Sequence, residues 1–236
     1  MMLSVLMPVY NEEKSVARAL KHALAVNYPC DVEFVVVNDG SSDGTAAELG
    51  ALTDERLRIV HHERNQGKGA AIRTAVGTAR GDYVVILDAD LEYDAQDIPG
   101  LLRPVLEGRA EVVYGNRQFG SHSAYSFWYV MGNKGVTLAA NVIFNSYISD
   151  VETCFKLMPI ALYRELDVKS TGFGMEAEVT GKLLRRRIRP YEVPISYHAR
   201  SREEGKKITA WDGVEALAIL ARERMRRIRK PTSAAR

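Results

Sequence analysis

Only two cysteines occur among 236 residues, Cys30 and Cys154, and neither has a partner at metal-ligand spacing. That count excludes a disulfide-stapled scaffold and a cysteine-rich zinc fold, and it fits a reducing, cytoplasmic compartment. No apolar run approaches the roughly 20 residues that a membrane-crossing helix needs. The apolar start, Met1 to Met7, has no basic residue before it and stops at Pro8; it is too short for a signal peptide and reads as a first buried strand. Internal repeats and long linkers are missing as well. A large charge of one sign is also absent, since the formal net charge is +2. The balance is uneven, because residues 221–236 carry seven cations against Glu223, a net of +6, which leaves the remainder near −4. The positive charge is therefore confined to a tail, which anionic lipid or nucleic acid can attract or which simply ends in solvent.

What is present is a chain that is 46% hydrophobic, enough to bury one sizeable α/β core. Runs rich in Val and Ile at 3–7, 32–38, 57–60, 83–87 and 111–114 alternate with helical patterns, the first at 12–26. Such alternation predicts a mostly parallel sheet flanked by helices. The runs are continuous rather than alternating, so both faces of the sheet are expected to be covered. Ligands of such sheets gather at the carboxyl ends of the strands. After Gly115 comes a polar, aromatic stretch at 118–129, then a long helix to Tyr147 and a strand at 154–158. Helices at 161–166 and 176–187, a last strand at 191–197 and a charged loop at 199–207 follow. A C-terminal helix over 211–229 ends before Pro231. The expected organisation is a domain over 1–210, with a nucleotide half at 1–117 and an acceptor half at 118–210, followed by a basic helix and tail at 211–236.

The strongest chemical signal is Asp88-Ala89-Asp90 at the end of the run Tyr83 to Leu87. It sets two carboxylates where a buried strand opens into the ligand crevice. Magnesium or manganese is commonly held by one or two carboxylates completed by substrate phosphates, and Glu92 is a further candidate ligand. At neighbouring strand ends stand Pro8-Val9-Tyr10-Asn11-Glu12 and Asn38-Asp39-Gly40. Tyr10, Glu12 and Asp39 can grip a base and a ribose there by stacking and by accepting hydrogen bonds. Asp43-Gly44-Thr45 reads instead as a turn and helix cap. A nucleotidyltransferase would show a glycine-rich triphosphate loop directly after the first strand. Tyr10-Asn11-Glu12-Glu13 occupies that place.

Taken in order, Pro8 to Glu12, Asn38 to Asp43, Asn65-Gln66-Gly67-Lys68-Gly69 and Asp88-Ala89-Asp90 resemble the family 2 inverting glycosyltransferases of the GT-A fold. Within that family the chain is most similar to the polyprenyl-phosphate (dolichol-phosphate) mannose and glucose synthases. The narrower likeness rests on Asp88 to Glu92, Gly115-Asn116-Arg117, Asp150 to Lys156 and Arg202 to Lys207. The resemblance implies that Pro8, Tyr10, Glu12 and Asp39 line the nucleotide pocket, with Lys68 supporting it from a helix start. It implies that Asp88 contacts the nucleotide and that Asp90, with Glu92, holds Mg2+ or Mn2+. The mannose synthases usually have Gln at the position of Glu92, so mannose does not follow. Arg117, Lys134, Arg200, Arg202, Lys206 and Lys207 would serve the acceptor phosphate and the donor diphosphate, the loop 202–207 closing over the donor.

The acceptor decides whether a base is needed. A hydroxyl must lose its proton in the transition state, whereas a lipid phosphate is largely ionised and needs positioning by cations. Asp150 is the expected base for a hydroxyl acceptor; for a phosphate acceptor it orders Arg or Lys side chains. The helix at 125–147 sets Lys134, Thr137, Asn141 and Asn145 on one polar stripe against a wide apolar face of Val136, Leu138, Ala139, Val142, Ile143 and Phe144. Such a helix either lies on a bilayer or packs in a core. Phe127-Trp128-Tyr129 and the basic tail favour the bilayer. The expected partners are a nucleotide-sugar donor, a polyprenyl phosphate and the cytoplasmic face of a membrane, with no nucleic acid.

Overall fold

The structure, a computed structural model, describes residues 1–117, 127–200 and 210–226. The continuous apolar runs form β1 (Met2–Val9), β2 (Asp31–Asn38), β3 (Leu57–His61), β4 (Tyr83–Ile86), β5 (Val113–Asn116), β6 (Lys156–Pro159) and β7 (Tyr191–Pro194). These make one sheet in the order β3-β2-β1-β4-β6-β5-β7. Every pairing is parallel except those of β6, which runs antiparallel to both β4 and β5. The mostly parallel sheet expected from the sequence is thus the sheet found.

Register is what builds the site. Val9 lies opposite Asn38, and Leu6 opposite Ile86, so Tyr10, Asp39 and Asp88 all leave the sheet at one edge. The central strands are buried on both faces, beneath α1 (Val16–Leu24), α2 (Thr45–Gly50), α3 (Lys68–Thr78) and α4 (Ile98–Leu106) among others. Two polar residues inside this core satisfy each other: the Ser4 hydroxyl donates to Glu33 at 2.6 Å, and the Gly81 N–H donates to Ser4 at 2.9 Å. A buried hydroxyl without such partners would cost about 1–3 kcal/mol.

Two strand starts are later than expected. β5 begins at Val113, and β6 at Lys156, because the Cys154 N–H is donated at 2.9 Å to the Tyr93 hydroxyl instead of to a neighbouring strand. The second half supplies α5 (Phe127–Phe144), α6 (Ile160–Leu166), α7 (Met175–Arg185) and α8 (Ala210–Met225). α8 packs on α5 and α7 through Ala216, Ile219 and Leu220, forming a small second core with Val136, Ala140, Ala177 and Leu184.

The fold splits both stripes read from the sequence. Of the polar one, Thr137 and Asn141 turn inward, while Lys134 and Asn145 stay exposed. The Thr137 hydroxyl accepts from the Val151 N–H at 3.2 Å, and Asn141 both donates to and accepts from the Ile148 backbone at 2.9 Å. Of the apolar face, Val136 is buried, whereas Leu138 and Val142 are 64% and 73% exposed. Trp128, Met131, Leu138 and Val142 recur at helical spacing along one solvent-facing stripe. No helix among the described residues is long and apolar enough to cross a membrane.

Candidate functional site

A cavity of about 290 Å³ opens at the carboxyl edge of the sheet, walled by the ends of β1, β2 and β4, the start of α3, and residues from 117, 152–154, 172–176 and 197–200. Its walls include Pro8, Tyr10, Glu12, Asp39, Lys68, Asp88, Asp90, Glu92, Arg117 and Arg200. Ten residues singled out from the sequence therefore converge on one space. Asp150 and Lys134 are not among its walls, and Arg202, Lys206, Lys207 and the stretch 118–126 lie outside the described residues, as does the tail beyond Arg226.

At one end Asp39, buried after β2, organises the loop 65–69. Its carboxylate accepts from the Gln66 N–H at 3.0 Å and the Gly67 N–H at 2.7 Å, and it meets His62 Nδ1 at 2.7 Å. Gly67 has a φ of +93°, and a Cβ there would stand 2.4 Å from the Thr171 carbonyl oxygen. Only glycine fits that close approach and that dihedral angle. The loop delivers Lys68 to the first position of α3, where its Nζ lies 2.8 Å from Asp88 and 2.9 Å from Glu176. Burial works against the lysine's charge, but Asp88, Cys154 and Glu176 hold its pKa well above the ordinary range. Asp43, by contrast, is confirmed as a turn residue, accepting from the Thr45 N–H at 3.0 Å.

At the mouth, Asp88 and Asp90 stand with Glu92 across a strained turn, since Leu91 adopts a φ of +63°. That turn swings Glu92 inward, where it accepts from the Tyr197 hydroxyl at 2.5 Å and from the Arg200 N–H at 2.8 Å. Glu92 thereby fastens the segment after β7 to the end of β4. Arg200 reaches back with Nη2 3.0 Å from Asp90 and 3.1 Å from Glu12, while its Nε is buried without a hydrogen-bond partner among the described residues. Burial, and repulsion from Asp88 and Glu92, outweigh Arg200 and push Asp90 up to about 7. Among the described residues no three His, Cys, Asp or Glu groups are set to hold a metal by themselves. The oxygen chemistry of Asp90 beside Asp88 nevertheless fits Mg2+ or Mn2+ whose remaining ligands come from a diphosphate. The pent-up negative charge and the Arg200 guanidinium lodged against it mark the same spot as one that favours a cation.

The far end holds the residues that the sequence reading ordered differently. Arg117 pairs with Asp150 through two parallel hydrogen bonds of 2.6 and 2.8 Å and stacks over the Tyr197 ring at 4.9 Å. Asp150, 1% exposed, also accepts from Asn133 of α5 at 3.0 Å. Burial opposes its charge, yet Arg117, Asn133 and Lys156 keep its pKa below the usual carboxylate range. A carboxylate so committed orders Arg117 and is a poor proton acceptor. Two residues on, Glu152 lines the cavity with no hydrogen bond or ion pair at its carboxyl among the described residues. Burial and the neighbouring Glu176 carboxylate, only partly offset by Lys156 and Arg117, push it up to about 7. Lys134 sits exposed on the outer side of α5.

Glu152, Glu176, Cys154, Phe173 and Tyr197 are cavity residues that sequence reasoning missed. The signal for Glu152 was its place in the Asp150 to Lys156 motif. Cys154, read as an isolated cysteine, donates its thiol at 3.0 Å to Asp88.

Comparison with known proteins follows the same outline. The family described as glycosyl transferase family 2 matches residues 4–166. The chain is 32% identical over 208 residues to the low-salt glycan biosynthesis hexosyltransferase Agl6 of Haloferax volcanii, covering 85% of this chain and 49% of the relative. It is 34% identical over 121 residues to a dodecaprenyl-phosphate galacturonate synthase of Rhizobium johnstonii, covering 49% of this chain and 36% of that protein. The chain thus spans half or less of either relative. Among solved structures, glucosyl-3-phosphoglycerate synthase from Mycobacterium tuberculosis in complex with uridine diphosphate superposes with a TM-score of 0.71 at 21% identity, over 94% of this chain and 80% of that one.

Proposed function

This chain belongs to glycosyl transferase family 2 and carries its GT-A fold, and from that premise we propose that it moves a hexose, glucose or mannose, from a UDP- or GDP-sugar to a polyprenyl phosphate at a membrane surface. The donor's base and ribose would lie against Pro8, Tyr10, Glu12 and Asp39. Its diphosphate would lie between Lys68, Asp88 and Asp90. Asp90 is the residue that would hold Mg2+ or Mn2+; a bound divalent ion supplies Lewis-acid stabilisation of the departing diphosphate. Arg117 would position the acceptor phosphate, since Asp150 engages only its Nε and Nη2 and a guanidinium has five donors.

The observation that carries the lipid acceptor is the outward face of α5. Trp128, Met131, Leu138 and Val142 are exposed in a line, and the inner face of the same helix fixes Asp150 beside Arg117. An apolar stripe bordered by Lys134 and followed in sequence by a tail of +6 suits the peripheral, cytoplasmic face of an anionic bilayer. The polyprenyl-phosphate chemistry in the name of the Rhizobium relative points the same way. A soluble hydroxyl acceptor is the second reading, and the carboxyl of Glu152, unpaired among the described residues, favours it.

The test is to incubate the protein with labelled UDP- and GDP-hexoses, Mn2+ or Mg2+, and vesicles containing polyprenyl phosphate. Label extracted with the lipid supports the first reading. Label appearing only in water-soluble glycosides, when saccharide acceptors are supplied, overturns it.

A further inference from the structure

We propose that Glu152 takes the proton of the acceptor as the sugar is transferred, a role that rests on the transferase reading of this cavity. Three carboxylates stand on the acceptor side. Asp150 is held by Arg117 and Asn133. Glu176 is held by Lys68 at 2.9 Å, with its second oxygen buried. Glu152 alone lines the cavity with its carboxyl unengaged among the described residues.

The surroundings adapt it to the task. Glu176 of α7 and Asp150 of its own loop repel its negative charge, while Lys156 of β6 and Arg117 after β5 attract it. With burial added, its pKa lies at about 7, where a base is half deprotonated at neutral pH yet basic enough to bind a proton. Two neighbouring carboxylates held in opposite states are the usual arrangement for acid–base work. The sequence motif invites Asp150 for the same duty, but the ion pair with Arg117 removes it from contention.

The step balances for a hydroxyl acceptor. The acceptor O–H bond breaks, and its proton passes to a Glu152 oxygen. The freed oxygen pair forms the new bond to the anomeric carbon, and the bond from that carbon to the diphosphate oxygen breaks, its pair leaving with the nucleoside diphosphate. A lipid phosphate carries such a proton only in its monoanion, whose second pKa is about 6; the dianion that prevails at neutral pH attacks without a base.

The test compares kcat against pH for wild type, Glu152→Gln, Glu152→Asp and Glu176→Gln, using nucleotide sugar with a short prenyl phosphate and, separately, a saccharide acceptor. With the saccharide acceptor Glu152→Gln is expected to lower kcat about a hundredfold and erase the rise in rate near pH 7, with the donor KM within about twofold of wild type, whereas transfer to the prenyl phosphate should fall far less. Glu152→Asp should restore part of the rate together with the pH dependence. Glu176→Gln should keep the rise but move it to lower pH, because the repelling charge is gone. Transfer to the saccharide by Glu152→Gln with an unaltered pH profile, or a wild type that uses only the prenyl phosphate, would overturn the role alone. A wild type that binds nucleotide sugar but transfers to neither acceptor would overturn the role and the transferase reading together.

Discussion

Glu152 also makes a prediction about stability that needs no substrate. In an unfolded chain its carboxyl titrates near 4.5, and in the folded protein at about 7. A raised folded pKa means that the folded state binds the proton more tightly, so this stabilisation is fully present below pH 4.5 and is lost as pH rises through 7. Holding Glu152 ionised in its buried place therefore costs on the order of 3 kcal/mol at pH 8. Glu152→Gln keeps the shape and removes the charge. It is expected to stabilise the protein at pH 8 by up to about 3 kcal/mol, which for a chain of this length raises the melting temperature by roughly 5–10 °C. At pH 5 the wild-type residue is mostly protonated, and the gain should shrink below about 1 kcal/mol. Paired melting curves of the two proteins at pH 5 and pH 8 measure this directly. A variant that is destabilised equally at both pH values would show that Glu152 is ionised and well solvated in the fold, and the reasoning about its environment would fail.

Asp90→Asn removes the proposed metal ligand at a loop rather than a packing group, so transfer should fall by about a thousandfold or more with the fold retained; near-normal turnover in saturating Mn2+ would refute the assignment. Arg200 occupies an Asp90 oxygen at 3.0 Å, and a charge-assisted bond of about 1.5–3 kcal/mol competes with any ion there. Arg200→Ala should consequently bind Mn2+ about tenfold more tightly without nucleotide, as read by calorimetric titration, and unchanged binding would separate Arg200 from the metal position. Asp150→Asn leaves the Arg117 charge buried without its partner and should destabilise by about 3 kcal/mol; adding Arg117→Met should recover most of that in urea unfolding, and additive losses would refute the pairing. Leu138→Glu combined with Val142→Glu should abolish sedimentation with anionic vesicles while leaving melting intact, and undiminished sedimentation would remove α5 from the membrane face.

The donor side of the cavity was legible because a parallel sheet leaves little freedom in where a strand-end residue goes. Once the apolar runs are strands, Tyr10, Asp39 and Asp88 must emerge at one edge, and the register of β1 with β2 and β4 brings them there. The acceptor side was less legible because it depends on which of several partners captures each group along a loop. Asp150 and Glu152 are two residues apart and chemically alike, and nothing local in the sequence says which one faces the cavity. The decision is made at long range, by Arg117 and Asn133 taking Asp150 and by Tyr93 taking the Cys154 N–H.

The way α5 is turned has a similar cause, and magnitudes explain it. Exposing Leu138 and Val142 forfeits about 1.5–3 kcal/mol for each side chain, so burying them would be the default. Turning the helix that way would remove Asn133, Thr137 and Asn141 from the interior. The Asp150 carboxylate, the Val151 N–H and both backbone groups of Ile148 would then lose partners they now have. Three backbone groups left unpaired cost about 1–3 kcal/mol each, and Asp150, still held by Arg117, would lose a further hydrogen bond. That sum matches or exceeds what two aliphatic side chains return, so Thr137 and Asn141 turn inward with Val136 and Ala140, and Leu138 and Val142 are left facing out. Helical periodicity in the sequence marks the polar and apolar positions of α5; which of them are buried is decided by the hydrogen-bonding needs of the segment from Ile148 to Val151, and those appear only once the chain is folded.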